Sequence, residues 1–178
     1  MSSKREYTLE ELAVHTLRVL RSIGLLLVCQ PEGDKPNVMT IGWGMLGVLW
    51  GRPIFVIAVR PSRYTFELLE RAGDFTINVP SRGMENVVSY CGTVSGRNRD
   101  KFKECNFTAV PSKSVHSPII QECIIHYECK ILYKTDLVAK ALPKVILDEW
   151  YPQNDYHRLY VGEILHVYAD EDYLEKLP

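Results

Sequence analysis

Apolar residues along this chain follow two rhythms. Between Tyr7 and Gly24, Leu12, Leu17 and Leu20 recur at helical spacing, and Thr8-x-x-Glu11 ahead of them has the form of a capping box. The spacing predicts a helix that begins near Tyr7 and ends before Gly24. Beyond it the apolar stretches are short and strand-like, over residues 24–30, 38–42, 54–59 and 75–79, and are divided by the turn-forming PEGDKP, GRP and RAGD segments. Short helices are expected over 63–72, where Phe66, Leu68 and Leu69 sit among charges and Gly73 stops the pattern, and more weakly over 84–90 and 100–105. Two long alternating strands, 123–133 and 157–168, precede a terminal acidic helix near 170–177. Strands clustered around a few short helices, with no regular βαβ alternation, predict a mainly β fold, a closed or split antiparallel barrel rather than a doubly wound sheet.

Composition narrows the setting. The chain has 178 residues, enough for one good core and too few for two, so residues 1–178 are read as one domain. A formal net charge of −1 gives no field that would recruit nucleic acid or an anionic membrane, so any anion must be held locally and the partner is expected to be small. The start, MSSKREYTLEEL, has no apolar stretch of signal-peptide length, and runs such as 23–29 are too short to span a bilayer; a soluble, cytoplasmic protein is expected. Five cysteines without a C-x-x-C pair suit free thiols in a reducing compartment. Cys123-x-x-His126-x-x-Cys129 has a metal-like look, but strand alternation puts His126, with Glu128 and Lys130, on the polar face opposite both sulfurs, which lie about 20 Å apart along a strand. No metal is expected.

Gly42-x-Gly44-x-x-Gly47 matches a dinucleotide-binding fingerprint in spacing. That fingerprint needs a helix starting inside the motif so that amide groups face the pyrophosphate, and Gly51-Arg52-Pro53 ends the segment instead. Glu67, at the spacing of an acidic ribose partner, belongs to a charged helix. Two readings of Gly42, Gly44, Gly47 and Gly51 stay open: backbone left bare so that a flat ring can approach, or a bend at a barrel corner.

Anion-binding chemistry gathers in two other segments. Arg60-Pro61-Ser62-Arg63-Tyr64-Thr65 sets two guanidiniums and hydroxyls at the mouth of a predicted helix, where guanidinium can grip phosphate through paired donors. Its simpler reading is Ser62 as an N-cap among solvated arginines. Cys91-Gly92-Thr93-Val94-Ser95-Gly96-Arg97, with Lys101 beyond it, reads as a donor-rich loop able to fold over the same phosphate. In a chain with no overall positive excess, these donors point to one buried phosphate ester.

The order N-V-M-T-I-G-W (37–43), R-P-S-R-Y-T (60–65), D-F-T-I-N-V-P (74–80), C-G-x-x-S-G-R-x-x-D-K-F (91–102) and H-R-L-Y-V-G-E-I (157–164) resembles the flavin reductase-like, flavoredoxin type of FMN-binding split-barrel protein, over roughly residues 20–169. The resemblance implies a homodimer of split β-barrels, each binding FMN near the subunit interface. The flavin would lie against Asn37, Val38, Met39, Thr40 and Trp43. Its phosphate would meet Arg60, Ser62, Arg63, Tyr64 and Thr65, with Ser95, Gly96 and Lys101 closing over it, and Asn78, Val79 and Pro80 would line the cofactor from the next strand.

FMN carries nearly two negative charges on a flexible tail and an apolar, hydrogen-bonding ring, so cations at one end and a flat wall at the other suit it. Thr40 is the candidate for a hydrogen bond near flavin N5. Trp43 is the candidate wall or lid, with plain core packing as its alternative. Hydride transfer from NAD(P)H needs little beyond holding two rings in contact, so no acid or base is required; His126 and His157 are the histidines closest to consideration. The expected activity is an NAD(P)H-dependent reductase passing electrons to free flavin, a ferric complex or a similar acceptor. The alternatives are an FMN electron carrier served by a protein donor and a flavin-storage or sensory module.

Overall fold

The computed structural model describes residues 4–178. Strand β1 (Lys4–Glu6) leads into helix α1 (Leu9–Ser22), and the capping box forms as expected: the Glu11 amide donates to Thr8 Oγ1 at 3.4 Å and the Thr8 amide donates to the Glu11 carboxylate at 2.6 Å. Next come β2 (Leu25–Cys29), β3 (Asn37–Ile41), β4 (Gly44–Leu49), β5 (Arg52–Val59), α2 (Tyr64–Leu69) and β6 (Asp74–Val79). Helices α3 (Glu85–Thr93) and α4 (Lys101–Glu104) follow, then the short pair β7 (Ala109–Val110) and β8 (Ile119–Ile120). The chain ends with β9 (Ile125–Asp136), a 3-10 turn (Ala139–Ala141), α5 (Lys144–Trp150), β10 (Arg158–Asp170) and α6 (Tyr173–Lys176).

The main sheet is antiparallel, in the order β3-β2-β6-β9-β10-β5-β4, with β1 on the far half of β10. Its two end strands, β3 and β4, are consecutive in the chain and joined only by Gly42 and Trp43. A two-residue link spans about 10 Å at most, so the ends of the sheet must come back together. The sheet therefore curls into a barrel split between β3 and β4. This is the mainly β, split-barrel architecture that the strand pattern predicted.

Helix α1 fills the barrel. Leu12, Val19 and Leu20 pack with Leu25, Leu27, Phe55, Ile57, Phe75 and Tyr127, and the hydroxyls of Thr16 and Tyr127 meet at 2.7 Å. Strand β2 is buried on both faces, because Leu26 and Val28 pack outward with Val38, Val88, Phe102 and Ile120 beneath α3 and α4. That second cluster fixes both helices beside β3.

Three local expectations are corrected. Residues 44–49 form β4, a strand that the spacing of glycines obscured; a Cβ on Gly44 would meet the Val56 carbonyl oxygen at 2.8 Å, so this glycine lets β4 press against β5. Residues 144–150 form α5, unforeseen in the stretch between the two long strands. Finally, His126 and Glu128 are fully buried, not solvent-facing, because the 110–120 segment covers that face of β9: Glu128 accepts the amides of Lys113 and Ser114, at 2.8 and 2.7 Å. Among the described residues no cluster of His, Cys, Asp or Glu could hold a metal, and no helix is long and apolar enough to cross a membrane.

Candidate functional site

Two clefts open where the barrel splits. The first, of about 90 Å³, lies between β3, α2 and the α3–α4 connection and is lined by Met39, Ser62, Arg63, Tyr64, Thr65 and the 91–96 segment, with Lys101 at its base. The second, of about 180 Å³, is lined by Met39, Thr40, Ile41, Gly42, Trp43 and Ala58, with Arg60, Arg63, Trp150 and His157. Met39 and Arg63 border both, so the two form one trough along β3. As an end strand, β3 has no strand partner among the described residues on its second edge, along this trough.

Lys101 is the unusual residue of the first cleft. Asp100 caps α4 by accepting the Lys103 amide at 3.1 Å, and Phe102 anchors the helix in the second cluster, which carries Lys101 inside with it. The ammonium donates to the carbonyls of Cys91 and Val94, at 3.1 and 3.0 Å, and the side chain is 4% exposed. No carboxylate pairs with it among the described residues. Burial, first, and the nearby Arg63 guanidinium hold its pKa below the ordinary lysine value. Arg63 reaches the Gly92 carbonyl at 3.2 Å from the opposite wall. A buried cation bonded only to carbonyl oxygens, with a second cation nearby, is a costly arrangement unless an anion completes it.

The loop over this cleft is held close. A Cβ on Gly96 would collide with Asn37 Oδ1, so a side chain there would displace either the loop or Asn37 from its bond to Thr65. Asn37 itself is buried and donates to Thr65 Oγ1 at 2.9 Å, tying β3 to α2. Helix α3 runs on to Thr93, further than the pattern suggested, and Thr93 spends its hydroxyl proton on the carbonyls of its own helix, Ser89 and Tyr90. A third cleft, of about 400 Å³, continues past Tyr64, Gly96 and Lys101 to Lys35, Arg97 and Arg99.

The second cleft has aromatic walls. Trp43 lies half-buried, 4.9 Å from Trp150 edge to face and 4.5 Å from the tilted His157 ring. His157 Nδ1 and Tyr151 Oη are 2.8 Å apart. Burial, followed by the charge of Arg60, pulls the His157 pKa down to about 4, so the ring is neutral at physiological pH. Arg60 donates to the Trp150 and Asp155 carbonyls, at 2.9 and 3.0 Å, and stacks over Tyr151.

Most of the residues expected at one site are thus brought together, with changes of position. Arg63, Tyr64, Thr65, Ser95, Gly96 and Lys101 share the first cleft, and Ser62 stands at its rim, bonded to Asp155 at 2.5 Å in place of capping α2. Arg60 lies at the aromatic cleft, not with the other anion donors. Thr40 lines the aromatic cleft, and its hydroxyl donates to the Val88 carbonyl at 2.5 Å, so that oxygen faces the cleft as an acceptor. Val38 turns into the second cluster and reaches only the third cleft. Asn78, Val79 and Pro80 are buried and line none of the three clefts. The Asn78 amide is fully used: it donates to Leu26 O and Thr76 Oγ1 and accepts from the Ile120 amide, with His126 Nδ1 at 2.8 Å. His126 belongs to that interior network, whereas His157 faces the trough. Trp150 and Asp155 were not foreseen; the only signal was the aromatic pair in Glu149-Trp150-Tyr151-Pro152.

The architecture and site define a class, an antiparallel split barrel with a cationic cleft joined to an aromatic one at the split. The chain belongs to the flavin reductase-like family: the model described as "Flavin reductase like domain" matches residues 22–177. Among its relatives, an uncharacterized protein of Archaeoglobus fulgidus is 32% identical over 75% of this chain and 66% of its own length, and one of Pyrococcus abyssi is 32% identical over 86% and 78%. Among solved structures, flavoredoxin of Desulfovibrio vulgaris (Miyazaki F) superposes with a TM-score of 0.68 at 25% identity, over 87% of this chain and 74% of that one. Flavoredoxin from Methanosarcina acetivorans gives 0.65 at 29% identity, over 85% and 70%.

Proposed function

We propose that the trough binds FMN and that the protein is an FMN-dependent NAD(P)H oxidoreductase. One observation carries this reading: a buried lysine with no counter-charge among the described residues lies in the same trough as an aromatic-walled cleft, the two ends that a phosphate-tailed planar ring requires. Lys101, Arg63 and the Ser95 hydroxyl would hold the phosphate, while Ser62 gives its proton to Asp155 at the rim. Met39, the β3 edge and Trp43 would flank the ring, while Asn78, Val79 and Pro80 drop out of the ligand set. FMN would supply hydride acceptance and onward electron transfer.

The chain's own residues then have separable tasks. Lys101 and Arg63 neutralise the phosphate through charge-assisted bonds. Trp43, Trp150 and His157 exclude water from one face of the second cleft and leave room for a second ring, of nicotinamide or of an acceptor. His157, neutral and steadied by Tyr151, orients without carrying charge. A homodimer is part of this reading; Met45, Val48 and Trp50, all more than half exposed on the β4 hairpin, support a second copy on that face.

The flavoredoxin neighbours favour a second reading, an FMN electron carrier with a protein donor. Anaerobic mixing of the FMN-loaded protein with NADH or NADPH separates the two. Loss of the absorbance at about 450 nm within seconds supports the reductase; bleaching by dithionite alone supports the carrier, and a chain that takes up no FMN contradicts both.

A further inference from the structure

We propose that Cys91 and Cys105 form a redox-active dithiol whose oxidation cross-links the two ends of the segment closing the first cleft and so gates ligand exchange there; the gating half rests on the FMN reading above. The two sulfurs are 3.9 Å apart. Cys91 sits in the last turn of α3 and lines the cleft, and Cys105 is the C-cap of α4. Everything that closes over the cleft, from Gly92 to Lys101, lies between them in sequence. The Cys91 carbonyl also accepts from the Lys101 ammonium at 3.1 Å, so a bond at Cys91 acts directly on the backbone that steadies that charge.

Joining the sulfurs requires closing 3.9 Å to about 2.05 Å. The other three cysteines, Cys29, Cys123 and Cys129, are fully buried, whereas Cys105 is partly exposed and is the entry point for an oxidant. With hydrogen peroxide as oxidant, the Cys105 thiolate attacks one peroxide oxygen, the O–O bond breaks, hydroxide leaves, and Cys105 becomes a sulfenic acid. The Cys91 sulfur then attacks that sulfur, the S–O bond breaks, and water leaves with the Cys91 proton. Two thiols and one peroxide thus give one disulfide and two waters. Burial raises both thiols above the ordinary cysteine value, so the reaction is slow at neutral pH and quickens toward alkaline pH.

The test uses the whole chain, reduced and peroxide-treated, with thiol alkylation, peptide mapping and hydrogen exchange. Expected are a mass loss of about 2 Da, one Cys91–Cys105 cross-link absent from C105S, and amide exchange across 92–104 slowed about tenfold or more. With FMN as probe, association and dissociation should both slow about fivefold or more and recover with dithiothreitol. Sulfinic acid without a cross-link, a pair involving Cys123, or unchanged exchange across 92–104 would overturn the dithiol. A cross-link that slows amide exchange and leaves FMN kinetics unchanged overturns the gating. If neither redox state binds FMN, the flavin reading fails while the cross-link and amide exchange still decide the dithiol.

Discussion

Two lysines sit inside this protein in opposite circumstances. Lys4, on β1, donates to the Asp170 carboxylate at 2.8 Å and to the Cys123 carbonyl at 3.1 Å, and its ammonium lies 2.9 Å from His126, which leans on Asn78. Every group in that network has a partner, and its charges balance, since Lys4 and Lys176 share Asp170 and Lys176 also pairs with Asp172. Lys101 is more deeply buried and has two carbonyls and, among the described residues, no carboxylate. The closed network is explained by holding β1, β6, β9 and β10 together. The open one leaves a charge unaccounted for by the fold, and this is why the ligand is placed at Lys101 and not at the equally polar interior around His126.

The largest effect should come from breaking the closed network. Asn78→Ala strands the Ile120 amide and takes away the partner of His126 Nδ1, and urea unfolding should show a loss of about 3 kcal/mol, with FMN affinity of the folded fraction unchanged. Lys101→Ala should do the reverse: FMN retention weakens by about 1.5 to 3 kcal/mol in a fluorescence titration, while the ligand-free chain loses little stability or gains some. Arg63→Ala, at the more exposed wall, should cost about 1.5 kcal/mol of FMN affinity by the same titration. A loss of stability for Lys101→Ala matching that of Asn78→Ala would erase the distinction between the two regions.

A smaller effect is expected from pH. The folded pKa of His157, about 4, lies below its ordinary value of 6.5, so the unfolded chain takes up a proton first as pH falls. Stability is therefore full above about 6.5 and declines as pH drops toward 4. With screening from the open side of the cleft, His157 should contribute about 1 kcal/mol of this slope. His126, pulled well below 6.5 by burial and then by the Lys4 charge, adds to the slope in the same direction. Unfolding midpoints of His157→Phe between pH 4 and 7 should follow a shallower line than those of the wild type.

The comparison also shows what a reader of the sequence can see. Thr8 and Glu11 announce α1, and the runs at 24–30 and 75–79 announce strands, because capping and apolar clustering are local. Strand β4 was hidden because Gly44 and Gly47 weaken a local strand signal, and the reason Gly44 is needed, contact with β5, is tertiary. His126 and Glu128 alternate with apolar residues and so look solvent-facing; their burial depends on a covering segment that no period of two can reveal. The anion donors were legible as residue types. Their sorting was not: Arg60 went to the aromatic cleft through bonds to Trp150 and Asp155, and Thr40 gave its proton to Val88.

The most direct measurement is a pair of titrations, FMN and riboflavin, on the wild type and Lys101→Met. A charge kept for phosphate predicts FMN binding about tenfold or more tighter than riboflavin in the wild type, with that preference largely lost in the variant and riboflavin affinity unchanged. Equal affinities for the two ligands in the wild type, or a preference for FMN undiminished without the lysine, would contradict it.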